Sequence, residues 1–243
     1  MEKIYAFDVD GTLTDPRQTI DPQFNEFFLE FAKKNLVYLV TGSDRDKIAE
    51  QLPAETLNAC YGLFACSAAE LWAGDRLIYR KAHDFPASMH AAVKRLIDES
   101  PYGKRCGCHI EERPGMLNIT TVGRNATNEE RKEYHAWDNK HGERREFIRV
   151  LSGLYPHYEF SAGGEISVDI VPYGWTKAVA KREIEERHLD CSITFFGDRM
   201  GDGGNDKPLA DVLKKHANHR AIAVNSYKDT WKFLQPAETV CAA

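Results

Sequence analysis

The sequence predicts an α/β fold in which a doubly wound parallel sheet carries an inserted α+β unit. Two observations predict the core: short apolar runs alternate with helical patterns, and carboxylates or hydroxyls stand at the C-terminal ends of those runs. A third observation predicts the insert, because a block of antiparallel character interrupts the α/β rhythm, which then resumes.

Ile4 to Asp8 reads as a buried parallel strand that ends in carboxylates. Asp21-Pro22 has the capping chemistry of a helix start, and Phe24, Phe27, Phe28 and Phe31 then fall on one helical face. Leu36 to Val40 is a second buried strand, followed by Thr41-Gly42-Ser43-Asp44, where Ser43 or Asp44 can cap a helix carrying Ile48 and Leu52. Gly62 to Cys66 reads as a third strand, and Glu70 to Tyr79 as a hairpin around Gly74-Asp75. Between about Lys81 and Trp175 the pattern gives a helix over 86–99, strands over 108–112 and 116–122, a helix opened by a Thr127-x-x-Glu130 capping box, and strands over 158–161 and 165–171. A helix from Thr176, a strand over 193–197, a helix near 208–216 and a strand over 221–224 complete the chain. The predicted organisation is a Rossmann-like core formed by residues 1–80 and 175–243, with residues 81–174 inserted as a cap domain.

The composition, with 42% hydrophobic and 28% charged residues, is that of a globular protein, and the net charge of −5 argues against a general nucleic-acid binder. Cys60, Cys66, Cys106, Cys108, Cys191 and Cys241 match no zinc spacing and read as reduced thiols. The opening segment lacks the basic and apolar regions of a signal peptide, and no run of residues has the length of a membrane span. The expected setting is the cytoplasm, with neither membrane nor nucleic acid as partner.

In open α/β sheets, ligands bind at the carboxyl ends of the strands. Here three such ends carry reactive groups: Asp8-Val9-Asp10-Gly11-Thr12, Val40-Thr41-Gly42-Ser43 and Phe196-Gly197-Asp198. Alternation along an extended chain puts Asp8 and Asp10 on one side, and Gly11 lets the backbone turn away. An Asp attacking phosphorus needs a cation to offset the repulsion between two anions, and Mg²⁺ with carboxylate ligands supplies it. The second Asp can serve as general acid and base.

Asp8-Val9-Asp10-Gly11-Thr12-Leu13-Thr14 resembles the nucleophile motif of the haloacid dehalogenase superfamily of phosphotransferases. Thr41 resembles that superfamily's phosphate-binding hydroxyl, with Ser43 a rival, and Lys177 resembles the lysine that steadies nucleophile and phosphate. The run from Phe195 to Asp206 resembles its acidic metal motif. A closer resemblance covers nearly the whole chain and points to the eukaryotic-type phosphomannomutase branch. It rests on Pro16-Arg17-Gln18, Gly115-Met116-Leu117-Asn118-Ile119, Gly123-Arg124, Glu129-Glu130-Arg131, Ile166-Ser167-Val168-Asp169, Pro172-x-Gly174-Trp175-x-Lys177 and Gly203-Gly204-Asn205-Asp206.

The resemblance implies a Mg²⁺-dependent phosphohexomutase that forms an aspartyl-phosphate on Asp8, is primed by a hexose 1,6-bisphosphate and acts on a small-molecule sugar phosphate. A sugar-phosphate phosphatase on the same scaffold is the alternative. Arg17, Arg113, Arg124, Arg131, Ser167 and Asp169 match positions that bind the sugar phosphate, and a homodimer through the cap is implied. Guanidinium groups suit phosphate by bidentate donation. Asp8, Asp10, Asp198 and Asp202 are the expected metal carboxylates, with Asp202 a rival to Asp198 because Arg199-Met200-Gly201-Asp202 departs from the family pattern. Lys207-Pro208-Leu209-Ala210-Asp211 departs from the family's second ion loop, so one essential ion is expected. The run Ala65-Cys66-Ser67-Ala68-Ala69 replaces an Ala-Glu-Asn-Gly turn, which predicts the loss of a polar contact to the site.

Overall fold

The computed structural model describes residues 1–235, so Cys241 lies outside the described residues. Strand β1 (Glu2–Phe7) pairs in parallel with β2 (Leu36–Val40) and with β10 (Cys191–Gly197). Strands β3 (Gly62–Ala65) and β11 (Arg220–Ala223) extend the parallel run on either side. The hairpin β4 (Glu70–Ala73) and β5 (Arg76–Arg80) adds two antiparallel strands at one edge, giving the order β11-β10-β1-β2-β3-β4-β5.

Strand alternation decides which face each residue covers. Ile4 and Ala6 enter one apolar cluster with Ala180, Ile184 and Leu213, while Phe7 enters the other with Phe24, Phe28 and Phe196. Helix α1 (Pro22–Lys34) starts where Asp21 accepts hydrogen bonds from the amides of Gln23 and Phe24. Asp44, rather than Ser43, caps α2 (Arg45–Gln51), accepting from the Lys47 amide.

A second sheet, ordered β6-β7-β9-β8, is antiparallel throughout. It comprises β6 (Ile110–Arg113), β7 (Met116–Thr120), β8 (Tyr158–Gly163) and β9 (Ser167–Pro172). Leu117, Ile119, Val168 and Ile170 pack with Met89 and Val93 of α4 (Ala87–Asp98) and with Phe147 and Leu151 of α6 (Glu143–Leu154). The intervening residues Asn118, Ser167 and Asp169 therefore point to the opposite face, and Asn118 and Asp169 are direct cross-strand partners. Helix α5 (Asn128–His141) opens with the expected capping box, both hydrogen bonds of which are formed.

Three helices fell outside the sequence reading: α3 (Ala54–Ala59), α6, and α9 (Tyr227–Leu234). The first is short and capped only by Pro53, without a side-chain hydrogen bond. The helix expected from Thr176 begins one turn later, as α7 (Val179–Arg187), and that near Pro208 is α8 (Lys207–Lys214). Among the described residues, no helix is long and apolar enough to cross a membrane.

Candidate active site

The C-terminal ends of β1, β2 and β10 converge, and the inner face of the second sheet stands opposite them. One cleft between the two is lined by Asp8, Asp10, Arg17, Thr41, Ser43, Arg113, Arg124, Arg131, Ser167, Asp169 and Asp198. Lys177 lies beneath it, fully buried, and its ammonium donates to Asp8 Oδ1 at 2.5 Å and to Asp206 Oδ1 at 2.7 Å. Burial would lower the lysine's pKa, but the charges of Asp206 and Asp8 outweigh it and hold the ammonium well above its usual range. Burial, with Asp206 and Asp198 nearby, instead pushes the Asp8 carboxyl well above its ordinary value despite Lys177. The same two causes, burial and Asp206, raise Asp198 to about 6.

The neighbouring hydroxyls divide the work by hydrogen bonding. Ser43 Oγ donates to Asp10 Oδ2 at 3.3 Å, and the Arg17 amide donates to Asp10 Oδ1 at 2.8 Å. Thr41 Oγ1 accepts from the Ser43 amide at 3.0 Å, which leaves its own O–H free to donate into the cleft.

Of the four carboxylates expected at the metal, the structure groups only Asp8 and Asp198, and it adds Asp206. Oxygens of these three lie within 4.8 Å of one another. Asp10 is turned toward Ser43 and Arg17 instead. Asp202 is a correction: its side chain is fully solvent-exposed and its near charge is Lys207, at 3.9 Å. The glycines on both sides of it carry the loop outward, away from the strand ends. Asp206 has both oxygens engaged, by Lys177 and by the Arg199 amide at 3.0 Å, so it orients rather than offers a ligand.

The donor set fits a divalent cation. Asp198 Oδ1 and Asn205 Oδ1 are buried with no hydrogen-bond partner among the described residues, and each such oxygen is costly unless something binds it. The three clustered carboxylates also outnumber the two cations beside them, Lys177 and Arg199, the latter 3.7 Å from Asp198. Gly11 is what lets the cluster close: its φ is +82°, and a Cβ there would lie 2.5 Å from Asp198 Oδ2. G11A should therefore lower turnover about 100-fold, the scale of a misplaced active-site group, and weaken Mg²⁺ binding by calorimetry while the circular dichroism spectrum is kept. Wild-type turnover in that variant would show that Asp198 need not stand so close.

At the far end of the cleft, cations are in excess. Arg113 is the exception: Nε and Nη2 donate to Glu111, Nη1 donates to Gly42 O at 3.0 Å, and the carboxylates of Asp169 and Glu111 outweigh its burial and raise its pKa. Burial and the charges of Arg113 and Arg17 instead lower Arg124 to about 10, and burial and Arg17 lower Arg131 to about 10. Buried cations that repel one another mark a seat for an anion.

Four participants escaped the sequence reading as site residues: Glu111, Asn118, Asn205 and Asp206. Asn118 donates to Asp169 Oδ1 and accepts from Arg124 Nη1 at 2.9 Å, joining two predicted substrate residues. Its signal was available, as an amide between the apolar Leu117 and Ile119 of a buried strand. The turn at Cys66, Ser67 and Ala68 places all three residues at positive φ, a strain of about 1–2 kcal/mol each. Ser67, from this turn, lines a second cavity beside the cleft together with Asp169, Lys177 and Asn205.

A parallel sheet with acidic strand ends, a buried lysine and a facing second sheet defines the haloacid dehalogenase class of fold. Solved structures agree at the level of fold. A haloacid dehalogenase-like hydrolase from Bacteroides thetaiotaomicron superposes with TM-score 0.60 at 14% identity, covering 96% of this chain and 98% of that one. The C-terminal domain of C. albicans trehalose-6-phosphate phosphatase gives TM-score 0.60 at 18% identity, over 93% and 80% of the two chains. The eukaryotic phosphomannomutase family matches residues 24–237, and this chain belongs to that family. Curated relatives include the phosphomannomutase of Saccharomyces cerevisiae, 33% identical over 96% of this chain and 93% of its own. That of Dendrobium officinale is 36% identical over 84% and 82%.

Proposed function

We propose that the protein is a Mg²⁺-dependent phosphohexomutase, interconverting mannose 6-phosphate and mannose 1-phosphate through an aspartyl-phosphate on Asp8. The observation that carries this reading is the second pole of the cleft, where Arg17, Arg124 and Arg131 line the same cavity as Asp8 and positive charge outweighs the nearby carboxylates Glu111 and Glu165, so that burial and like charge lower Arg124 and Arg131 both to about 10. A phosphatase needs positive charge only where the phosphate reacts. A mutase must also hold the other phosphate, then let the bisphosphate turn around and present its opposite end.

In this reading Asp8 Oδ1 stays bonded to Lys177 while its other oxygen attacks phosphorus of the hexose 1,6-bisphosphate. The P–O bond to the sugar breaks, and Asp10 gives its proton to the departing sugar oxygen. In the return step Asp10 takes the proton from the incoming sugar hydroxyl as that oxygen attacks the aspartyl-phosphate. Thr41 donates to the transferring phosphoryl group, and Ser43 holds Asp10 in position. Asp8, Asp198 and Asn205 would hold Mg²⁺, which supplies charge neutralisation when bound. Ser167 and Asp169 read sugar hydroxyls, and Arg17, Arg124 and Arg131 seat the distal phosphate.

Residues 81–174 serve as the cap that closes over residues 1–80 and 175–243, excluding water from the phosphoenzyme. The homodimer through the cap and the cytoplasmic setting belong to the same reading. Mannose 1-phosphate incubated with enzyme, Mg²⁺ and hexose 1,6-bisphosphate should yield mannose 6-phosphate. Inorganic phosphate as the main product would replace the mutase by a phosphatase.

A further inference from the structure

Glu111 lies outside the cleft wall, yet it touches more charged partners than any substrate residue needs for its own sake. Its Oε1 accepts from Lys47 Nζ at 2.7 Å, across the seam between the two sheets. Its Oε2 accepts from Arg113 Nε at 3.1 Å and lies 3.1 Å from Arg124 Nη2. Lys47 sits on α2 of the core, where Asp44 holds its ammonium at 2.8 Å. Arg113 and Arg124 belong to the facing unit, and Arg113 itself reaches back over the seam to Gly42 O at 3.0 Å. One carboxylate thus fixes an arginine of the phosphate seat with one oxygen and grips the core with the other.

We propose that Glu111 is a positioning residue that couples closure of the cap to the aiming of Arg124 at the distal phosphate. The inference rests on the mutase reading above. When the cap is open the Lys47 contact cannot form, and Glu111 has only the two guanidinium groups to hold. Closure adds the third cation, so the carboxylate is fully partnered only in the state where Arg124 faces the core. Burial would raise the carboxyl, but Arg113 and Lys47 hold it at about 2, so it remains an anion throughout the working range of pH. Glu111 and its three cationic partners are each less than one-third exposed, which separates this network from the surface ion pairs that contribute little.

The contrasting account, that Glu111 merely offsets surplus positive charge, predicts the opposite sign. E111Q keeps the shape and removes the charge, which leaves the seat more positive. If charge balance were all, phosphate ligands would bind more tightly. Positioning predicts weaker binding, because the Gln amide cannot accept from all three cations.

The test compares wild type with E111Q, K47M and K47R, reading the Kd of a hexose 1,6-bisphosphate by calorimetry with Mg²⁺ present, and KM and kcat in the mutase assay. E111Q and K47M should each raise Kd and KM about ten-fold, the scale of losing one charge-assisted hydrogen bond, with kcat changed less than three-fold. K47R should stay near wild type, and hydrolysis of acetyl phosphate, which has no distal phosphate to seat, should be unchanged in K47M. Tighter binding by E111Q, or a K47M variant indistinguishable from wild type, overturns the proposal. A wild type that releases phosphate without mutase turnover instead overturns the mutase reading, and the Kd comparison still decides the role of Glu111. Should E111Q fail to fold, K47M carries the same test.

Discussion

D8N should abolish mutase turnover, by on the order of 10⁴-fold or more, because every step passes through a bond to the carboxylate oxygen at that position. An amide has no anionic oxygen to attack phosphorus, and its nitrogen faces the cation site with a donor in place of a ligand. Acid-quenched wild-type enzyme incubated with bisphosphate should carry phosphate on protein, and D8N should carry none. Turnover retained in D8N would refute the covalent mechanism. Stability should move the other way. The folded-state pKa of Asp8 lies well above the ordinary 3.8, so folding favours its protonated form and ionisation works against the metal-free fold. As pH rises above 3.8, the wild-type metal-free chain therefore loses stability that D8N keeps. Melting curves without Mg²⁺ should show D8N gaining relative to wild type across that window, and adding Mg²⁺ should reverse the order by stabilising wild type alone.

The sequence carried the parts of this site that depend on chain order and strand alternation. Asp8 and Asp10 stand two apart at the end of a buried strand, Thr41 ends the next strand, and Asp198 ends the strand that pairs beside β1; all three ends meet because parallel strands present their C-termini together. Asn118 and Asp169 of the insert face the same cleft because β7 and β9 alternate, turning Leu117 and Val168 to the helices and Asn118 and Asp169 to the site. Sequence could not say which carboxylate in the Asp198-to-Asp206 loop turns inward. That choice depends on how two consecutive glycines fold the loop back, so Asp206 comes under Lys177 and Asp202 points to water. Nor could it separate Arg113 from Arg124. The two look alike in sequence, but Arg113 is held by Glu111 and Gly42 O and raised by Asp169 despite its burial, while Arg124 only shares the Glu111 oxygen and is lowered by burial and by Arg113 and Arg17, a difference made by partners from two sheets and a core helix. Cap boxes and strand faces are local; the charge balance of a buried cluster is not.

K177M should destabilise the fold by about 3–5 kcal/mol, the usual cost of removing one partner from a buried ion pair. Lys177 has no exposed surface, and its ammonium is the shared donor for Asp8 and Asp206, both themselves buried. Without it, Asp8, Asp198 and Asp206 crowd within 4.8 Å of one another, and among the described residues Arg199, 3.7 Å from Asp198, is the one cation left in reach. For a chain of this size that loss corresponds to roughly a 10 °C drop in melting temperature. Methionine replaces most of the buried volume, so the loss measures charge and hydrogen bonding more than a cavity. Mg²⁺ should recover part of the loss, and at lower concentration than wild type needs, since the lysine's charge no longer opposes the ion. Turnover should remain low even then, because Asp8 has lost the donor that orients it. A shift of one or two degrees would mean that the three carboxylates escape their mutual repulsion by taking up protons or water at little cost, and that Lys177 serves the phosphoryl group without holding the fold together.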